Sequence, residues 1–288
     1  MWWILGLWIL GVLGVGLATW GILSARVVLY PERRSIPPPH PLPSALTDRL
    51  TAPDGAHFEV WRLEATSRRA RILLCHGYYA NRFQVLDIAQ GLRERGYEVV
   101  LFELRGHGDR PGPCTLGVKE AEDALTVLRW AGERNGGRPL PTGVLGLSMG
   151  AAVACQVAYR SPQVRAIVVD SIYSRLFPVL RRSLWRRYHL PTFPLAWVTW
   201  WGVQAALRAR RSAGDPATLA PKLRLPLLAI QGGEDRRVTP LLGREFFRRW
   251  AGPKERWFEP QIAHVGMFAQ HQRTYCDRVA AFFDRVLT

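Results

Sequence analysis

The chain has 288 residues, of which 48% are hydrophobic and 22% are charged, so it is not too polar to build a substantial core. Its formal net charge of +16 points first to an anionic partner, either nucleic acid or a membrane surface. Only three of the 39 basic residues are lysines, and no nucleic-acid-binding motif is present. We therefore interpret most of the charge as an arginine-rich solvated surface and expect no nucleic-acid partner. The four cysteines form no CxxC pair, so neither a metal site nor a disulfide is expected.

Residues 1–25 carry no charged side chain and predict a transmembrane anchor. A helix needs about 20 mainly apolar residues to cross the hydrocarbon core of a bilayer, and the stretch from Trp2 to Leu23 is long enough. Trp3 and Trp20 lie near its two ends, where the headgroup region favours amphipathic rings.

A cleavable signal peptide is the alternative for this segment, and Leu23-Ser24-Ala25 is a tolerable cleavage site. The absence of a basic region before the apolar stretch, and the length of that stretch, favour an anchor that is kept. Arg26, Arg33 and Arg34 follow it closely. By the positive-inside rule they predict that the rest of the chain lies in the cytoplasm.

Residues 26–56 are predicted to be a proline-rich linker, and residues 57–288 a single α/β domain. The run PPPHPLP at 37–43 favours an extended polyproline conformation, which acts as a semi-rigid spacer. After it, short apolar segments alternate with amphipathic ones of helical length, which indicates a mostly parallel sheet with helices on both faces. The predicted strands are 57–63, 70–76, 97–103, 142–147, 164–170, 225–231 and a segment around 254–260.

The stretch TGVLGLSMGAA at 142–152 contains the pattern G-x-S-x-G, with Ser148 at its centre. The pattern lies between a predicted strand and a predicted helix, which is the context of a nucleophile elbow. The pattern alone is common, but this context favours Ser148 as a nucleophile. A serine hydroxyl then needs a base, an acid that orients the base, and donors for an oxyanion.

We expect the backbone amides of Met149 and Tyr78 to form the oxyanion hole. Met149 follows the proposed nucleophile, and Tyr78 follows His76-Gly77 at the end of an earlier predicted strand. We assign His76 the role of ordering its loop rather than a role in catalysis.

Asp235 and His264 are the predicted acid and base. Asp235 follows the apolar strand at 225–231, and His264 precedes the final predicted helix, so the two follow Ser148 in the order acid, then histidine. Ligand chemistry in open α/β sheets collects at the carboxyl ends of the strands, where these residues are expected. Three alternatives remain: Asp170 or Glu234 as the acid, and His271 as the base, although His271 is expected on the last helix facing solvent.

These motifs together resemble the α/β-hydrolase superfamily, in its serine aminopeptidase and monoglyceride-lipase-like branch. That branch is related to membrane-anchored bacterial hydrolases and to ABHD-type lipid hydrolases. The resemblance extends over roughly residues 50–288 and implies an α/β-hydrolase fold. It rests on TAPDG at 51–55, HGYYANR at 76–82, LRGHGDR at 104–110, GLSMG at 146–150, GGEDRRV at 232–238 and AHVG at 263–266.

Two positions depart from the family pattern. Asp109 stands where serine is frequent, which should not disturb the chemistry, and Tyr78-Tyr79 either narrows the acyl pocket or packs the loop. For His107 we expect a structural role in a turn. The resemblance implies an acyl-enzyme mechanism on Ser148, with no metal ion or organic cofactor.

The gap between Asp170 and Leu225 interrupts the alternation of strands and helices, and the family has its cap at this place. We expect a helical cap at about 171–222. It contains eight aromatic residues and nine basic residues against a single acidic one, Asp215; the basic residues are Arg175, Arg181, Arg182, Arg186, Arg187, Arg208, Arg210, Arg211 and Lys222. Either the cap docks on anionic lipid headgroups, or its aromatic residues pack on the core and its arginines are solvated.

The sequence thus predicts a membrane-anchored serine hydrolase that cleaves carboxylic esters, with lipid or acylglycerol-type substrates. A thioesterase or a serine peptidase or amidase would use the same residues. The alternative outside enzymes is a non-catalytic protein that binds the membrane surface.

Overall fold

The computed structural model describes residues 1–33, 36–37, 44–67, 69–134, 140–189, 192–207 and 214–287. The strands are β1 (Leu46–Thr51), β2 (His57–Leu63), β3 (Arg71–Cys75), β4 (Glu98–Phe102), β5 (Thr142–Leu147), β6 (Val164–Asp170), β7 (Leu227–Gly232) and β8 (Lys254–Glu259). The α-helices are α1 (Trp2–Leu29), α2 (Leu86–Glu94), α3 (Glu120–Glu133), α4 (Met149–Arg160), α5 (Leu176–Tyr188), α6 (Leu195–Leu207), α7 (Pro216–Leu219), α8 (Pro240–Arg249), α9 (Met267–Gln270) and α10 (Gln272–Leu287).

The eight strands form one sheet in the order β1-β2-β4-β3-β5-β6-β7-β8. Strand β2 runs antiparallel to both β1 and β4, and the pairs from β4 to β8 are all parallel. The predicted fold class, a mostly parallel central sheet with a helical insertion, is confirmed. The carboxyl ends of β3, β5, β6 and β7 therefore meet at one edge of the sheet.

Two hydrophobic cores lie on the two faces of the sheet, because successive strand residues point to opposite sides. Along β5, Val144 belongs to the core under α3 and α4, whereas Leu145 belongs to the core under α2 and α10. All six residues of β5 are buried, as expected for a central parallel strand covered on both faces.

Strand β1 lies inside the segment predicted to be a linker. Its sequence LTDRLT pairs along its whole length with β2, and it forms an exposed antiparallel edge of the sheet. This short strand falls within the predicted linker because it closely follows the proline run. Residues 38–43 of that run lie outside the described residues.

The LRGHGDR turn after β4 is held by buried ion pairs. Arg105 donates to both carboxylate oxygens of Asp123 on α3, at 2.7 Å for each bond. Arg110 also approaches Asp123, at 3.3 Å, and both arginines contact the partly exposed Asp54. Arg105 and Arg110 are only 2% and 0% exposed, so Asp123 compensates charges that water does not reach. Asp109, by contrast, is exposed and contacts Arg82, so its departure from the family pattern lies on the surface.

The insertion after β6 contains α5, α6 and the short α7, which confirms its helical nature. Leu180 and Leu184 of α5 pack against Ala196 and Trp200 of α6 in a small hydrophobic cluster of their own. Arg208, Arg210 and Arg211 lie outside the described residues.

Helix α1 is long and apolar enough to span a membrane, with a mean hydropathy of 1.9. It extends four residues past the predicted end at Ala25, through Arg26. Most of its side chains from Trp2 to Val15 are exposed, whereas Ala25 and Leu29 are buried in the domain core.

The carboxyl-terminal part of α1 packs against α6 of the insertion. A Cβ on Gly202 would lie 2.3 Å from the carbonyl oxygen of Gly21, so the two backbones cross at a distance that only glycine permits there. Beside the crossing, the Thr199 hydroxyl accepts from Trp20 Nε1 at 3.1 Å and lies 2.8 Å from Ser24 Oγ. Helix α1 and the helical insertion are thus joined by close packing and by hydrogen bonds.

Candidate active site

Ser148 lies on a sharp turn between β5 and α4, with φ 53° and ψ −110°. Such a positive φ is uncommon for a non-glycine residue, and it lifts the side chain out of the strand. A Cβ on Gly146 would lie 2.1 Å from the carbonyl oxygen of Gly150, and one on Gly150 would lie 2.1 Å from that of Cys75. The glycines of the G-x-S-x-G pattern are therefore required by contact between backbone segments.

The three predicted catalytic side chains meet at the carboxyl edge of the sheet. His264 Nε2 lies 3.0 Å from Ser148 Oγ, and His264 Nδ1 lies 2.7 Å from Asp235 Oδ2. Because an ionised carboxylate only accepts hydrogen bonds, this arrangement assigns the proton to Nδ1 and leaves Nε2 to accept from the serine hydroxyl.

Asp235 is held as a carboxylate acceptor by its own loop. Its Oδ1 accepts from the backbone amides of Arg237 and Val238, at 2.9 and 2.8 Å. Its Oδ2, which faces His264, also accepts from Gln231 Nε2 at 3.2 Å. Asp235 is 2% exposed, so these donors replace the water that it loses on burial.

The alternative residues lie elsewhere. Asp170 is fully buried and accepts from Ser171 Oγ and Tyr275 Oη, and burial raises the pKa of its carboxyl to about 6. Glu234 is exposed. His271 is also exposed, as expected, although it lies between α9 and α10 rather than on the last helix.

Ser171, which the sequence reasoning did not single out, fixes the histidine loop. Its Oγ donates to Asp170 at 2.9 Å and accepts from the backbone amide of Val265, the residue after His264, at 3.0 Å. The only sequence signal for it was its position directly after β6, at the edge where the site forms.

The loop after β3 lies beside the serine on the side where the oxyanion hole is expected. A Cβ added to Gly77 would lie 3.6 Å from the Cβ of Ser148, which places Tyr78 next to the elbow, and Met149 begins α4. Both Tyr78 and Met149 line the cavity that contains Ser148.

The two histidines near this loop have structural contacts. His76 Nδ1 lies 2.8 Å from the Gly77 carbonyl oxygen, and its Nε2 accepts from the Leu104 amide at 3.0 Å. His107 Nδ1 lies 2.7 Å from the Arg105 carbonyl oxygen, and burial lowers the pKa of this imidazole to about 4. His76 therefore ties the loop after β3 to the segment that follows β4, and His107 is neutral in a turn.

Ser148 and His264 open into a cavity of about 390 Å³ beneath the cap. Its lining is mainly apolar and includes Leu180 and Trp200 from the insertion and Val28 from the last turn of α1. The Val28 carbonyl oxygen accepts from the Tyr78 hydroxyl at 2.7 Å. The last turn of α1, which lies in the segment predicted to be a linker, therefore contributes a wall of the cavity and holds the loop beside the serine. The sequence did not indicate this contact.

Across the described ranges, no group of three or more histidine, cysteine, aspartate or glutamate side chains is arranged to hold a metal ion. The four cysteines are buried and unpaired, and burial raises the pKa of Cys276 to about 11.

Known proteins resemble this chain over most of its length. A sequence model of the alpha/beta hydrolase family matches residues 72–278. An uncharacterized protein of Mycobacterium tuberculosis is 27% identical over 264 residues, which cover 89% of this chain and 86% of the relative. A pimeloyl-[acyl-carrier protein] methyl ester esterase of Neisseria meningitidis is 25% identical over 251 residues, or 73% of this chain and 94% of the relative. The structure of the Pyrococcus furiosus esterase Pf2001 superposes with a TM-score of 0.71 at 23% identity, covering 85% of this chain and 93% of that one.

Proposed function

Since this chain belongs to the alpha/beta hydrolase family, we propose that it hydrolyses carboxylic esters with Ser148 as the nucleophile. The observation that carries the proposal is the continuous set of contacts from Ser148 Oγ through His264 to Asp235, at 3.0 and 2.7 Å. The name of the Neisseria meningitidis relative, a methyl ester esterase, supports esters as the substrate class. The mainly apolar cavity supports an acyl chain as the group that is bound.

In the proposed reaction, Ser148 Oγ attacks the ester carbonyl carbon while His264 Nε2 takes the hydroxyl proton. The amides of Tyr78 and Met149 would donate to the oxyanion that forms. The imidazolium then returns the proton to the leaving alcohol as the carbon–oxygen bond breaks, which leaves an acyl group on Ser148. Water attacks this acyl-enzyme with His264 again as the base, and the carboxylic acid is released. Asp235 keeps the proton of the neutral ring on Nδ1 throughout.

Labelling with a fluorophosphonate tests the nucleophile. The full chain is expected to react with the probe, and Ser148→Ala is expected to lose labelling completely, because the probe traps only an activated serine. Ser183→Ala is the matched control: Ser183 lines the same cavity, but its hydroxyl donates to the Val179 carbonyl.

If neither the full chain nor Ser183→Ala is labelled, the non-catalytic reading as a membrane-surface protein is favoured. If labelling occurs, rates on matched oxygen esters, thioesters and amides decide among esterase, thioesterase and amidase. We expect the oxygen ester to be cleaved fastest.

The same proposal includes a membrane anchor formed by α1 and a cytoplasmic catalytic domain. It is supported by the exposed apolar side chains of the first half of the helix and by Arg26 and Arg33 after them. The resemblance of the motifs to the monoglyceride-lipase-like branch favours a lipid or an acylglycerol as the substrate.

Extraction of membranes with alkaline carbonate tests the anchor. The full chain is expected to stay in the membrane pellet with its first residues intact by mass spectrometry. Leu13→Arg is expected to reduce this fraction, since a charge at the centre of a span costs about 3 kcal/mol. A chain that is released by carbonate would be a peripheral protein, and a chain that begins near Arg26 would have lost a cleaved signal peptide.

The orientation is tested separately. Protease added outside intact cells is expected to leave the domain uncut, because the proposal places it in the cytoplasm.

A further inference from the structure

The charged side chains that line the cavity have a single sign. Arg182 and Arg186 reach it from α5, and Arg237 reaches it from the loop after β7. Of the described residues that line it, none is aspartate or glutamate, and the remaining titratable side chains are His264 and three tyrosines. An uncharged ester offers no anionic group to which these three guanidinium groups could bind.

Arg182 and Arg186 are brought together by one backbone group. Arg182 Nε donates to the Arg236 carbonyl oxygen at 2.7 Å, and Arg186 Nη1 donates to the same oxygen at 3.4 Å. Within the part of the chain that the structure describes, no carboxylate lies within ion-pair distance of Arg182, Arg186 or Arg237, whereas Arg175 at the start of α5 contacts Glu245. Like charges held close together repel one another, and a bound anion would relieve that repulsion.

The apolar and cationic parts of the cavity lie on different sides of α5. Leu180 and Leu184 pack toward Trp200, with Val28 of α1 against the same cluster. Arg182 and Arg186 instead turn toward the loop that holds Asp235.

The loops on these two sides flank the serine. The Tyr78 loop, which is bonded to α1, borders Ser148 on the apolar side. The loop of Asp235, bonded to His264, borders it on the arginine side. An ester bound at Ser148 can therefore extend toward both sides at once.

We propose that the substrate is a lipid ester whose alcohol part carries an anionic group of the phosphate type, bound by Arg182, Arg186 and Arg237, with its acyl chain against α1 and the cap. Guanidinium groups suit this role because they donate several hydrogen bonds to phosphate oxygens in a fixed geometry. A lipid is favoured over a carrier-bound acyl group because the acyl side of the cavity is continuous with the long apolar helix. This inference rests on the proposed esterase function and specifies its substrate.

The test compares 1-oleoylglycerol with 1-oleoylglycerol 3-phosphate in micelles of a nonionic detergent that is in large molar excess over the ester, so that the charge of the substrate changes the micelle surface little. We expect the full chain to have a kcat/KM roughly tenfold to a hundredfold higher for the phosphate ester, which is what one or two hydrogen bonds to a charged group contribute. Arg182→Gln with Arg186→Gln is expected to reduce that ratio to within about threefold of one. Arg181→Gln, an exposed arginine of the same helix outside the cavity lining, is expected to keep it.

A binding measurement separates this inference from the proposed catalysis. The Ser148→Ala chain is titrated with the same two esters by tryptophan fluorescence, and it is expected to bind the phosphate ester more tightly by a similar factor. Equal affinities or equal rates for the two esters would overturn the inference, as would a preference that survives the double substitution. Faster cleavage of oleoyl-coenzyme A than of the phosphate ester would overturn the assignment to a lipid. A chain that binds the phosphate ester selectively but is not labelled at Ser148 would refute only the proposed catalysis.

Discussion

Replacing Asp235 by asparagine is expected to lower kcat for ester hydrolysis by about 10⁴-fold, the effect of forcing the wrong histidine tautomer in a serine hydrolase site. The structure indicates how this happens here. The amides of Arg237 and Val238 both donate to Oδ1 of Asp235, so they will hold the carbonyl oxygen of the new asparagine. The amide NH₂ group must then face His264 Nδ1, which becomes an acceptor. The proton moves to Nε2, and the ring can no longer take a proton from Ser148.

Glu234→Gln is the matched control for this substitution, because it removes a carboxylate from the adjacent, exposed position. Its kcat is expected to stay within about twofold of the unchanged chain. Thermal melting of both variants verifies that they fold. A large loss in Glu234→Gln, or more than a tenth of the activity left in Asp235→Asn, would contradict the assigned roles.

Replacing Asp123 by asparagine is expected to lower the free energy of unfolding by about 3 to 5 kcal/mol, because it removes the buried carboxylate that pairs with two buried guanidinium groups. Arg105 and Arg110 would keep only the partly exposed Asp54. For a chain of this size, such a loss corresponds to a decrease in Tm on the order of 10 °C.

Asp277→Asn is the comparison for this stability measurement. Asp277 forms an ion pair with Arg95 at 2.6 Å, but the carboxylate side chain is 55% exposed, so its loss is expected to cost less than about 1 kcal/mol. Both variants replace an aspartate by asparagine in an ion pair with arginine, and they differ in whether that aspartate is buried or exposed. Equal melting temperatures for them would show that the pairs around Asp123 do not stabilise the LRGHGDR turn.

The sequence allowed the core of the fold and the positions of the site residues to be predicted because both depend on short, strongly constrained patterns. Continuous apolar strands between amphipathic segments fix a parallel sheet, and such a sheet brings its strand ends to one edge. Ser148 was identifiable because it lies in the G-x-S-x-G pattern. The structure requires glycine in that pattern, since a side chain on Gly150 would collide with the Cys75 carbonyl. The order of Asp235 and His264 after Ser148 in the chain then favoured them as the acid and the base of the site.

The features that escaped prediction depend on contacts between distant segments. Ser171 supports the His264 loop through a single backbone hydrogen bond, and no local pattern encodes that contact. Strand β1 is short and lies at the edge of the sheet. It is a strand because it pairs with β2, and its sequence has too few apolar residues to indicate this. The hydrogen bond from Tyr78 to the Val28 carbonyl joins residues 50 positions apart, so a reading of residues 1–25 as a separate anchor omits it.

That hydrogen bond makes helix α1 part of the cavity wall, whatever its relation to a membrane. The last turn of the helix contributes Val27 and Val28 to the wall of the cavity, and the Leu29 carbonyl accepts from the Cys114 amide at 2.7 Å. A protease that cut the chain just after this turn would separate Val27 and Val28 from the domain together with the helix, and so open one side of the cavity in the same event. If α1 is the membrane anchor and the cavity binds the substrate, as proposed, shedding of the domain by such a cut would inactivate it instead of producing a freely diffusing enzyme.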